Sequence, residues 1–344
     1  MEYRSLGRSG LKVSTITIGT MTFGGGSKIG GTSEAEAARQ VDLCIDSGVN
    51  LLDTADIYSG GASEEIVGRL LAEGDRRRKL LVSTKLGLRD GDGPNDIGTS
   101  RLRIVTQAEQ SLRRLRIEAI DLYQVHAWDG QTPIDETMEA LDRLVTSGKV
   151  RYVGSSNFSG WHLSKALRTS ERAGGVPLIS QPIHYSLQAR DAEHDLVPIS
   201  LDAGLGMLIW SPLAGGLLSG KYSRDARPAT GRHVGGFPEP PVRDWDKLYA
   251  IVDVLRTVAA ETGHEPSQIA LAWLLGRRGV TSVIIGGRTQ AHFEQNLAAA
   301  DIRLEETHIL ALDRVSAQPL PYPYWHQINS VAERLGPSDV VPPK

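Results

Sequence analysis

Short apolar runs alternate with longer amphipathic segments from about residue 14 to residue 316, and this rhythm constrains the fold more than any other feature. The runs 14–20, 50–54, 80–85, 119–126, 150–155, 177–183, 206–211 and 281–285 read as eight strands. They are short and mostly apolar, as at Leu51, Leu52, Leu80, Leu81 and Val82, which is the pattern of parallel strands buried on both faces. Helical segments are expected at 33–48, 63–73, 104–116, 133–147, 159–173, 195–203, 245–262, 266–277, 289–299 and 305–316. Ser33 and Glu36 have the spacing of a capping box. Thr132 stands as an N-cap before Pro133 and Asp135. An even series of eight β/α units favours a closed (β/α)8 barrel over an open sheet. The opening EYRSLGRSGLKV reads as a β-hairpin that plugs the barrel bottom. A long Gly/Pro/Arg-rich loop, 214–244, follows strand seven, and the Pro-rich tail 317–344 reads as irregular. No shift in composition marks a boundary, so residues 1–344 are expected to form one domain.

Composition excludes several classes. A net charge of −3 gives no nucleic-acid footprint. No apolar run approaches the roughly 18–20 residues of a membrane helix, and the polar start MEYRSLGRSG is neither signal peptide nor anchor. One cysteine, Cys44, rules out an internal disulfide, fits a reducing, cytoplasmic setting and reads as a small buried hydrophobe. The nine histidines show no metal-ligand spacing. His162, His184 and His194 read as surface or loop residues, and the basic run Arg76–Lys79 as a solvated loop.

Four chemically capable residues stand at strand ends. Asp53 closes strand two, with Tyr58 in the loop behind it; Lys85 closes strand three and His126 strand four. In a barrel these ends share one mouth, where active sites sit, and adjacent strands are roughly 4.8 Å apart. Singly, each has an ordinary structural explanation: a turn cap, a solvated strand end, a loop aromatic, a satisfied histidine. Together after three successive strands they make a proton-transfer site. A tyrosine titrates near about pH 10 when free, and a neighbouring ammonium lowers that value. Lys85 supplies the ammonium, Asp53 keeps it charged and oriented, and His126 contacts the substrate oxygen.

At these residues the chain resembles the aldo-keto reductases. DTADIYSGGASEEIVGRLL is similar to the family signature that holds the catalytic Asp and Tyr. VSTKLG is similar to the segment bearing the catalytic Lys, and SRLRIVTQAEQSLRRLRIEAIDLYQVH to the signature ending at the catalytic His. The resemblance runs from about residue 2 to about residue 316. It implies Tyr58 as general acid/base, Asp53 and Lys85 as its tuners and His126 as substrate orienter.

The resemblance also implies NADPH bound without a Rossmann fold, and no strand here is followed by G-x-G-x-x-G and a helix. The glycine-rich FGGGSKIGG, 23–31, reads as a loop over the mouth, and Gly19, Thr20 and Met21 border the cofactor. By the resemblance Ser156, Asn157 and Gln181 hold the nicotinamide carboxamide; locally Asn157 also suits an N-cap. Trp210 stands where the family stacks an aromatic on the nicotinamide. Gly215, Gly220 and Lys221 have P-loop spacing, but Tyr222 replaces the Ser or Thr that would bind Mg²⁺. The resemblance instead gives Ser211, Pro212, Leu213, Gly216 and Lys221 to the pyrophosphate. Of Arg227 and Arg232 in the long loop, Arg232 is the better dinucleotide contact. A helix N-terminus after strand eight suits a phosphate, with Arg288 on the 2′-phosphate; the resemblance implies Gly286, Gln295 and Asn296 at the adenosine. His292 stands where aldose-reductase-like members often carry Arg, which lessens the preference for NADPH over NADH.

Met21, Phe23, Trp128, Tyr322, Tyr324 and Trp325 are candidate pocket walls, suited to a hydrophobic or cyclic carbonyl compound such as a xenobiotic. The reading is therefore a reversible NADPH-dependent reductase of aldehydes and ketones, with monomer and homo-oligomer both open. GGLLSGKY and the longer loop resemble the bacterial branch near the potassium-channel β subunits. That likeness leaves a second reading, an NADPH-binding regulatory module with slow turnover. The intact four-residue set, and the lack of an extension before the barrel, favour the first.

Overall fold

The structure, a computed structural model, describes residues 1–25, 31–225, 231–233 and 239–339. Arg227 and the middle of the glycine-rich loop, 26–30, lie outside the described residues. Eight parallel strands close into a barrel: β3 (Ile16–Gly19), β4 (Leu51–Asp53), β5 (Leu81–Leu86), β6 (Ile120–Val125), β7 (Val150–Ser155), β8 (Leu178–His184), β9 (Gly206–Trp210) and β10 (Val280–Ile285), which pairs back to β3. This is the (β/α)8 barrel expected. Strands β1 (Tyr3–Ser5) and β2 (Lys12–Ser14) form the antiparallel hairpin that precedes it. Leu6 and Val13 from that hairpin pack on Leu51, Leu122, Ile179 and Leu208, all fully or nearly buried, so the hairpin does stopper the bottom.

Helices surround the barrel: α1 (Glu34–Asp46), α2 (Ala62–Leu71), α3 (Arg76–Lys79), α4 (Arg101–Leu115), α5 (Ile134–Thr146), α6 (Gly160–Ala173), α7 (Leu196–Ala203), α8 (Trp245–Thr262), α9 (Pro266–Leu275), α10 (Gln290–Leu297), α11 (Glu306–Ser316) and α12 (Tyr324–Val331). Their apolar stripes face the strands, and burying both is what holds the two layers together. Cys44 is fully buried in that interface, and burial pushes its thiol up to about 12, so it is inert.

Several local expectations are corrected. Arg76–Lys79 is a short helix and no solvated loop, because Arg76 is clamped by Asp42 at 2.7 Å and Glu73 at 2.8 Å, and Arg77 pairs with Asp121. Thr132 does not cap α5. Its hydroxyl donates to Asp129 at 2.7 Å, and Pro133 takes the cap position. Ser33 caps α1, but Glu36 completes no box; its carboxylate goes to Arg39, Gln40 and the Gln290 amide. Helix α4 starts at Arg101 because Ser100 accepts from the Arg103 amide. The tail is not wholly irregular, since α12 lies in it.

Candidate active site

Asp53, Tyr58, Lys85 and His126 meet at the mouth. Lys85 Nζ donates to Asp53 Oδ2 at 2.5 Å, to the Thr54 carbonyl at 2.8 Å and to the Tyr58 hydroxyl at 3.4 Å. The rings of Tyr58 and His126 stand edge to face with centroids 6.0 Å apart. Strand pairing explains the convergence: β4 lies beside β5 and β5 beside β6, so three consecutive strand ends present three side chains to one volume.

The electrostatics refine the expectation for Tyr58. Burial raises the phenol above its ordinary value and outweighs the Lys85 ammonium, which pulls it down, as the Arg232 charge also does. The net direction is therefore opposite to that expected from Lys85 alone, and the phenol keeps its proton at neutral pH. Lys85 is raised: burial works against its charge, but Asp53 and Tyr58 prevail. Burial, helped by Lys85, pushes His126 down to about 3, so its imidazole is neutral. A neutral imidazole can donate or accept a hydrogen bond, but it is no cationic acid.

Beneath Asp53 runs a hydrogen-bonded chain the sequence reading missed. Ser83 Oγ donates to Asp53 Oδ1 at 2.9 Å, Gln124 Nε2 to Ser83 Oγ at 2.8 Å and Ser180 Oγ to Gln124 Oε1 at 2.8 Å. A Cβ at Gly154 would lie 2.1 Å from Ser180 Oγ, so only glycine lets this chain cross β7. Ser83 sits two residues before Lys85, at the same-face spacing of a strand. A polar residue there, inside an apolar run, was the available signal.

Residues expected at the nicotinamide form a second group. Trp210 Nε1 donates to Asn157 Oδ1 at 3.1 Å, and Asn157 Nδ2 donates to the His126 carbonyl at 2.8 Å. Asn157 thus ties Trp210 to His126, and its backbone takes φ 57° to do so; Ser159, not Asn157, is the N-cap of α6. Ser156 Oγ donates to the Pro182 carbonyl at 3.1 Å. Gln181 Oε1 accepts from Ser200 Oγ at 3.0 Å, while its buried Nε2 has no partner. A buried amide donor left over in this way fits the carboxamide oxygen of a nicotinamide.

His184 is no surface residue. It ends β8, its ring stacks on Trp210 at 4.6 Å, and burial pushes it down to about 4. His162 stacks on Trp128 at 4.0 Å and accepts from the Ser159 amide, and His194 stacks on Tyr324.

At the start of α10, burial first and then the charges of Lys221 and Arg288 lower the pKa of His292. Arg288 and Gly286 are exposed, Gln295 is half-buried and Asn296 buried. The Gln290 amide at the start of α10 already bonds to Glu36 at 2.5 Å, so that amide is not free for an anion. Arg232 reaches Ser211 Oγ at 3.4 Å. The segment Ala214–Ser219, after Pro212 and Leu213, is a 3-10 turn with left-handed Gly215 and Gly216, and residues 221–225 are not helical, so no P-loop helix follows Lys221. Gly19 is pressed against Ile285, and Thr20 donates to the Asp53 carbonyl beside half-buried Met21. Of the pocket candidates, Phe23 is fully buried in the core, while Tyr322 and Trp325 pair on the exposed tail.

Among the described residues, no group of His, Cys, Asp and Glu is placed to hold a metal, and no helix is long and apolar enough to cross a membrane. The model of the Aldo/keto reductase family matches residues 15–317. An uncharacterized oxidoreductase, YrpG, of Bacillus subtilis (strain 168) is 38% identical over 329 residues, covering 93% of this chain and 97% of its own. A probable voltage-gated potassium channel subunit beta of Arabidopsis thaliana is 35% identical over 88% of this chain and 92% of its own. Versiconal hemiacetal acetate reductase of Aspergillus parasiticus is 31% identical over 91% of this chain and 96% of its own.

Proposed function

The chain belongs to the aldo/keto reductase family, and from that premise we propose that it is an NADPH-dependent reductase of hydrophobic aldehydes and ketones in which Tyr58 is the proton donor. The observation that carries this reading is the Lys85 ammonium held between Asp53 at 2.5 Å and the Tyr58 hydroxyl at 3.4 Å. The nicotinamide, when bound, supplies the hydride to the carbonyl carbon. Tyr58 donates its proton to the carbonyl oxygen, where negative charge would otherwise accumulate. Lys85 stabilises the phenolate left behind, and Asp53 with the Thr54 carbonyl keeps Lys85 aimed. Neutral His126 hydrogen-bonds the same oxygen and orients the carbonyl. Gln181 takes the carboxamide and Trp210 offers a flat face, braced by Asn157 and His184. Lys221 takes the pyrophosphate and Arg288 the 2′-phosphate, and the Arg288 contact favours NADPH over NADH.

The test is consumption of NADPH with a reactive aldehyde such as 4-nitrobenzaldehyde, followed by a carbonyl panel with both cofactors. Turnover supports the reading. The relative named as a potassium channel subunit beta supports the second one, a nicotinamide-binding regulatory module. Tight NADPH binding without turnover across the panel would decide for that module.

A further inference from the structure

Asp56 lies between Asp53 and Tyr58 in sequence, yet the catalytic arrangement does not use it. Its side chain is 3% exposed, and neither carboxylate oxygen has a hydrogen-bond partner. It points behind the mouth, into the layer between the barrel and the helices. Facing it are Glu64 from α2, Arg103 and Arg114 from α4, Asp90 from the loop before α4 and Tyr123 from β6. Both guanidiniums are already matched. Arg114 Nε donates to Glu64 at 2.6 Å, and Arg103 reaches Asp90 at 2.7 Å. Glu64 is further satisfied by Thr84 Oγ1 at 2.6 Å. Asp56 is thus a third carboxyl facing two paired cations, and as a carboxylate it would be an uncompensated buried charge.

As a neutral acid it fits. Arg103 Nε, Gln107 Oε1 and the Tyr123 hydroxyl are also buried without partners in this layer. They comprise one donor, one acceptor and one group that is both. A protonated carboxyl offers one donor and several acceptor sites, whereas a carboxylate only accepts. Burial first, and the Glu64 charge second, raise Asp56 to about 7.

The turn around Asp56 is demanding. The Asp56 amide donates to the Lys85 carbonyl, and the Tyr58 amide to that of Ala55. Directly after Tyr58, three consecutive residues, Ser59, Gly60 and Gly61, take φ of 52°, 64° and 94°. A non-glycine residue in that region is strained and persists only where its surroundings hold it.

We propose that Asp56 is a positioning residue for Tyr58: its buried carboxyl, set behind the turn and facing Tyr123, Arg103 and Glu64, fixes the turn that carries the phenol to Lys85. The inference rests on Tyr58 being the proton donor. Its route is geometric, since Asp56 does not figure among the charges that shift the Tyr58 phenol.

The test compares Asp56→Asn and Asp56→Ala with wild type in NADPH-dependent carbonyl reduction across pH. Asparagine mimics the neutral acid, so it should restore kcat to within about threefold of wild type at about pH 6. It should also lack the decline above about pH 7 that ionisation of Asp56 predicts for wild type. Alanine should lower kcat by about a hundredfold, as a displaced catalytic group does, with the KM for NADPH unchanged. A second readout needs no turnover: the phenolate absorbance of Tyr58, taken as the difference from Tyr58→Phe, should titrate higher in Asp56→Ala than in wild type. If wild type reduces no carbonyl, the functional reading fails, and this titration alone decides the role of Asp56. If the alanine variant does not fold, the asparagine pH profile decides it. An asparagine profile that coincides with wild type overturns the proposal, as does an alanine variant with wild-type kcat and an unshifted Tyr58 titration.

Discussion

Lys85 Nζ lies 2.5 Å from Asp53 Oδ2, with both side chains about nineteen-twentieths buried at 4% exposure. Such a pair is weak evidence for stability but costly to break from one side, because the survivor keeps a charge away from water. Lys85→Met is therefore expected to destabilise the fold by about 3–5 kcal/mol, read from urea unfolding. A loss under about 1 kcal/mol would mean that Asp53 finds water or another partner.

Gly154 separates Gln124 from Ser180, and a methyl there would meet Ser180 Oγ at 2.1 Å. Gly154→Ala should break the chain that ends on Asp53. The expected loss is about 1–3 kcal/mol from overpacking, accompanied by reduced turnover. Ser180→Ala made together with Gly154→Ala removes the tightest contact, leaving those to Gln124 Oε1 at 2.8 Å and the Ser180 carbonyl at 2.9 Å, and should recover part of the stability. An additive double mutant would show that the steric account is wrong.

Arg288 tests cofactor discrimination. Only NADPH carries a 2′-phosphate, so Arg288→Ala should weaken NADPH by about 10- to 100-fold, the strength of a hydrogen bond to a charged group, and leave NADH nearly unchanged. Competitive binding isotherms for both cofactors measure this. Equal weakening of the two would assign Arg288 elsewhere.

Asp56 makes a separate claim about stability. Burial and Glu64 place its folded value at about 7, against about 3.9 when unfolded. A raised carboxyl contributes stability that is fully present below the unfolded value and is lost as pH rises through the folded one. The loss approaches about 4 kcal/mol, at about 1.4 kcal/mol per pH unit. The advantage of Asp56→Asn over wild type in Tm should therefore grow between about pH 4 and pH 7 and stay constant above that. A difference independent of pH would show that Asp56 is ionised in the fold throughout.

The barrel and the gathering of Asp53, Tyr58, Lys85 and His126 were legible because both follow from period and position. Apolar runs such as Leu51–Leu52 can only be strands buried on two faces, and a polar residue closing each of three neighbouring runs must reach the common mouth. What escaped were contacts between residues distant in sequence. The stack of His184 on Trp210 depends on β8 lying beside β9, and the Ser83–Gln124–Ser180 chain on three inward registers. The clamp of Arg76 on Asp42 is of the same kind. Signs of competing terms were also hidden. Lys85 was visible as a neighbour of Tyr58, but only coordinates reveal that burial outweighs it. Thr132 misled because Asp129 offered its hydroxyl a better acceptor than its use as a cap.

The central claim is that Tyr58 gives up the proton in a reaction whose hydride comes from NADPH. Steady-state reduction of 4-nitrobenzaldehyde by wild type and Tyr58→Phe, with NADPH affinity measured separately for each, tests it most directly. The account predicts turnover in wild type, a fall in kcat of about 10²- to 10⁴-fold in the phenylalanine variant and unchanged cofactor affinity. Equal turnover by the two proteins would contradict it.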